Sequence, residues 1–62
     1  MTPAELSVMR MLMQHLRNNA DRCRADAVTA ESVYYKHHLL GRATAFDDCA
    51  YMILARWPEV NE

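Results

Sequence analysis

Apolar residues recur along the first half of the chain at alternating steps of three and four. Leu6, Met9, Met13, Leu16, Ala20, Cys23, Ala27 and Ala30 form one such series, which on an α-helix lines a single narrow stripe. The series opens with Leu and Met and ends in Ala, so the helix it predicts narrows toward its C-terminal end. Thr2-Pro3-Ala4-Glu5 marks the start. The Thr2 hydroxyl is placed to accept an early amide N–H, Pro3 needs no donor, and Glu5 reaches back to the cap. The first helix is expected over about 3–26.

A second series, Leu39, Ala43, Phe46, Ala50, Ile53 and Trp57, again alternates by four and three. It predicts a helix over about 30–57, stopped by Pro58, because proline disfavours α conformation in the residue before it. Its bulky end matches the bulky end of the first series if the helices run antiparallel. The fold class is therefore all-α: an antiparallel two-helix hairpin in a single domain over 1–62. The connection is expected between Asp26 and Ala30, with Thr29 as the second N-cap. The other reading is one continuous helix, since no Gly or Pro interrupts this stretch; its length would require a coiled-coil partner throughout.

A turn near 28 or 29 makes facing residues sum to about 57. That rule sets Asp47 opposite Arg10 as a cross-helix ion pair and His15 near Arg42. It also puts Cys23 near Tyr34 and Cys49 near Val8, so the two thiols stand about 20 Å apart along the hairpin, outside disulfide reach.

Two helices meeting along one seam leave surplus apolar surface. Val8, Met11 and Leu12 lie off the first seam, and Tyr34, His38, Gly41, Ala45, Asp48 and Met52 form a second stripe on helix two, turned well away from Leu39 and Trp57. A mid-helix glycine costs about 1 kcal/mol relative to alanine, so Gly41 with Ala45 suggests close helix approach; the alternatives are that Gly41 is simply tolerated or bends the helix. Small scaffolds need a staple, a metal or oligomerisation. The expected closure is a homodimer forming a four-helix bundle, with Met9, Met11, Met13 and Met52 giving adaptable packing. Interface candidates are Val8, Met11, Leu12, Tyr34, His38, Gly41, Ala45, Met52 and Trp57. Trp57 either anchors a contact or caps the open end of the hairpin.

Composition narrows the function. Seven basic and eight acidic residues give a net charge of -1, so no positive field draws in a phosphate backbone. Arg10, Arg17 and Arg24 form one basic stripe at seven-residue spacing. It offers a nucleic-acid reading, but charges flanking a bundle seam explain it better, and nucleic acid is not the expected partner. The longest uncharged apolar stretch, Cys49 to Ala55, falls far short of the roughly 20 residues a membrane span needs. No basic and apolar leader opens the chain, so a cytoplasmic location is expected. Two isolated cysteines read as small hydrophobes rather than a staple.

Chemistry has little to stand on. His37 and His38 are adjacent and diverge by about 100° on a helix, no His-x3-His or Cys-x2-Cys pair accompanies His15, Cys23 or Cys49, and no metal site is expected. Asp47 and Asp48 diverge likewise and form no acid/base pair. No nucleophile triad or phosphate loop occurs, so neither catalytic residues nor a cofactor are expected.

The Thr-Pro-Ala-Glu start, Tyr34-Tyr35-Lys36, Leu40-Gly41-Arg42 and Ala45-Phe46-Asp47-Asp48 together resemble the small helical-hairpin proteins encoded by bacteriophages. In size and architecture the chain is similar to their quorum-sensing anti-activators, dimers of helical hairpins that bind a LuxR-type host transcription regulator and block its DNA binding. The resemblance implies a non-enzymatic inhibitor that masks a surface of a host protein, and it carries no individual site residue over. The rival expectations are a small nucleic-acid-binding regulator using the arginine stripe, and an anti-CRISPR or other anti-defence protein with the same binding-module physics.

Overall fold

The computed structural model describes residues 1–61. Helix α1 spans Pro3–Val28, helix α2 spans Val33–Arg56, and a short 3-10 turn covers Pro58–Asn61. The two long helices lie antiparallel in a slab of 45 × 16 × 13 Å. This is the expected all-α hairpin.

Helix α1 starts as its sequence dictates. Thr2 is the N-cap, its Oγ1 accepts from the Glu5 N–H at 3.2 Å, and Glu5 Oε1 accepts from the Thr2 N–H at 2.9 Å. This reciprocal capping box satisfies two amide donors that a helix start otherwise leaves open. Both hydrogen bonds favour the charged carboxylate and hold Glu5 below the ordinary glutamate value of 4.5.

The turn lies further along than the spacing predicted. Thr29 does not N-cap α2; it is the C-cap of α1, its N–H donating to the Ala27 carbonyl and its hydroxyl to the Asp26 carbonyl at 3.4 Å. Ser32 takes the N-cap role, accepting from the Tyr35 N–H at 3.3 Å. The first helix therefore runs two residues past 26, and the second begins at Val33 rather than 30.

That displacement changes the register. Met13 packs with Ala50, and Ala20 with Ala43, residue numbers adding to 63 in each case rather than about 57. Asp47 accordingly pairs with Arg24, not Arg10. Cys23 packs beside Ala43 instead of Tyr34, which stands 91% exposed. Cys49 is exposed and lies with Met52 and Ile53 rather than Val8. Both thiols are free.

Both seams are where the periodicity put them. Met13, Ala20, Cys23 and Ala27 are buried on α1, and Leu39, Ala43 and Ala50 on α2. The remaining seam residues Leu6, Met9, Leu16, Ala30, Phe46, Ile53 and Trp57 are half-buried. The core divides in two. Ala20, Cys23 and Ala43 close the turn end under Phe46, and Met13, Ala50 and Val60 close the open end with Leu6, Met9, Leu16, Ile53, Leu54 and Trp57 around them. Among the described residues no large side chain is completely buried.

Candidate protein-interaction surface

The two flanks of the seam carry different chemistry. At about 100° per residue, Arg10, Arg17 and Arg24 stand on one side of the α1 stripe, and Val8, Leu12 and His15 on the other. On α2, Asp47 and Leu54 lie on one side of the stripe, and Cys49 and Met52 on the other. In an antiparallel pair the matching sides share a flank, as the Arg24–Asp47 contact requires.

The arginine flank is closed by the chain itself. After Pro58 ends α2, the 3-10 turn folds back so that Val60, 4% exposed, packs on Met13 and Ala50. Arg10 Nε donates to the Val60 carbonyl at 3.2 Å and Nη2 to the Glu59 carbonyl at 3.4 Å. At the other end of the stripe Arg24 pairs with Asp47 and, at 3.2 Å, with Asp21. Arg17 lies between them along a shallow polar groove of about 190 Å³ shared with Gln14 and Asn61. The predicted basic stripe thus has both its ends engaged within the molecule.

The opposite flank is apolar and open. Trp57 forms a ridge at the open end with a groove on each side. One, about 390 Å³, is lined by Met1, Ala4, Glu5, Val8 and Met9; the other, also about 390 Å³, by Cys49, Met52, Ile53 and Arg56. A third groove of about 280 Å³ continues along α1 between Val8, Met11, Leu12 and His15. Val8 is 62% exposed, Met11 70% and Met52 68%, values far above those of a packed core. The Arg56 guanidinium lies 5.8 Å from the Trp57 ring centroid and that of Arg42 5.7 Å from Phe46, so cation–π contacts leave positive charge at the rim of this flank.

The structure therefore brings together Val8, Met11, Leu12, Met52 and Trp57, and leaves the other interface candidates elsewhere. Tyr34, His38, Gly41 and Ala45 line the outer face of α2 and are exposed. A Cβ built on Gly41 meets nothing within 4 Å, so the close approach expected there does not occur within the chain. Tyr35 stacks on His38 with ring centroids 6.3 Å apart. Met9, Cys49, Ile53 and Arg56 also line the open-end grooves and were not singled out by sequence; their spacing from Trp57, at steps of one, four and eight along α2, is the signal that marks the last three.

Among the described residues, no three His, Cys, Asp or Glu side chains converge to hold a metal ion, and no helix is long and apolar enough to cross a membrane. No family model, curated protein or solved structure matches the chain.

Proposed function

We propose that the chain is a non-enzymatic protein-binding module, working as a homodimer, that inhibits a host protein by covering one of its surfaces. The observation that supports this most is the open apolar flank around Trp57, where Val8, Met11, Leu12 and Met52 stand largely in solvent. Contiguous apolar patches rimmed by polar groups mark protein contact sites, and an aromatic ridge between two grooves is the kind of feature that dominates binding energy.

The resemblance to phage-encoded helical-hairpin anti-activators supplies the partner class. A LuxR-type transcription regulator in the host cytoplasm is the proposed target, and loss of its DNA binding is the proposed effect. The arginine stripe supports the nucleic-acid alternative poorly, because Arg24 already faces Asp21 and Asp47.

A mobility-shift titration tests this reading. Adding the chain to a LuxR-type regulator bound to its operator should release the DNA, and the chain alone should shift no DNA at physiological salt. Salt-dependent DNA binding by the chain itself, lost on Arg17→Glu, would replace this reading with the nucleic-acid one.

A further inference from the structure

We infer that the open apolar flank is covered by a second copy of this chain, related by a twofold axis passing near Leu12 and Met52. This rests on reading that flank as a protein-docking surface, and it names the occupant.

Three observations point to a second copy. The first is area. The chain exposes 4768 Å², whereas a compact monomer of its 7.2 kDa mass exposes about 4,100 Å². The excess, roughly 600–700 Å², approaches the ~800 Å² that each partner contributes to a standard stable interface. The second is layering. Stable domains pack two layers around one core; this hairpin is a single helical layer, 13 Å in its thinnest dimension, with no large side chain completely buried among the described residues. A second hairpin laid on the open flank supplies the missing layer and makes a four-helix bundle. The third is the distribution of charge. The ion-paired flank carrying Arg24 and Asp47 stays in water, while the open flank brings to its rim one negative residue, Glu5, and one positive residue, Arg56, on either side of Trp57. A twofold contact therefore sets apolar surface on apolar surface without massing like charge.

The arrangement also assigns the rest of the surface. With the open flank closed, the outer face of α2 bearing Tyr34, His38 and Gly41 remains exposed on both copies.

Cross-linking decides the matter. Because Cys23 is buried, a Met52→Cys, Cys49→Ser chain presents one accessible thiol beside the proposed axis. A short bismaleimide at micromolar protein should convert it to a species of twice the chain mass, and a Tyr34→Cys, Cys49→Ser chain should remain uncross-linked under the same conditions. Wild-type protein should sediment at twice 7.2 kDa, and Met52→Glu should halve that mass. A monomeric wild type overturns the second copy as occupant, as does a dimer that cross-links through position 34 and not 52. In the first case, a Met52→Glu chain that also fails to release a LuxR-type regulator from DNA would leave the docking surface standing with a different occupant; unchanged release would remove that surface as well.

Discussion

The Arg10 guanidinium holds the carbonyl oxygen of Val60, fifty residues away in sequence, at 3.2 Å. This contact ties the C-terminal turn to the first helix and places Val60 over Met13 and Ala50. One flank of the hairpin is thereby roofed by the chain's own end while the other is left bare. Val60→Ala should cost about 1–2 kcal/mol through lost burial, and Arg10→Ala about 1 kcal/mol, since a charge-assisted hydrogen bond on a partly exposed site is worth little more. Urea unfolding at one fixed protein concentration measures both. The two losses should not add fully, because they act on the same turn.

Met13 and Tyr51 give opposite expectations from similar side-chain size. Met13 is 4% exposed at the centre of the open-end core, whereas Tyr51 is 74% exposed. Met13→Ala should destabilise by about 2–4 kcal/mol and Tyr51→Ala by no more than about 0.5 kcal/mol. Equal losses in thermal unfolding would mean that the seam is misplaced.

Gly41 is open to substitution. Nothing stands within 4 Å of its added Cβ, its φ is not positive, and its helix continues on both sides. Gly41→Ala should raise stability by about 0.5–1 kcal/mol through helix propensity alone, with the dimer mass unchanged. A fall in stability or in mass would place a neighbour against this face.

The capping box predicts a specific acid dependence. Glu5 is held below the ordinary glutamate value of 4.5 by its hydrogen bonds to Thr2. Its stabilisation is present above that ordinary value and is lost as pH falls through its lower folded value. Glu5→Gln should therefore flatten the acid limb of the stability profile while leaving stability near neutral pH only slightly changed. Thr2→Ala should remove about 1 kcal/mol at neutral pH, the usual cost of losing an N-cap. Chemical denaturation between acid and neutral pH reads both effects.

The helical seams were legible because burial leaves a 3.6-residue period, and each residue from Leu6 to Ala30 and from Leu39 to Trp57 in the two series is buried or half-buried. The turn was not, because Thr29 and Ser32 are both competent caps and local preference does not rank them. The Thr29 hydroxyl turns back to Asp26 and Ser32 caps α2, a shift of three residues that moved the register and gave Asp47 to Arg24. The turn Pro58–Asn61 was hidden for a different reason. A single apolar residue, Val60, carries no period, and its burial depends on Arg10, which only the folded hairpin brings near. Of the candidate surface, Val8, Met11, Leu12, Met52 and Trp57 could be read as off-seam or terminal apolar residues. Their separation from Tyr34 and His38 needed the three-dimensional arrangement, which puts the two groups at opposite ends of α2.

The claim that this hairpin is completed by a second copy is tested most directly by the thermal midpoint of the wild-type chain measured across a hundredfold range of protein concentration. A folded dimer that dissociates as it unfolds gains stability by mass action, so the midpoint should climb steadily with concentration. A midpoint that stays constant over that range would contradict the account and establish a self-sufficient monomer.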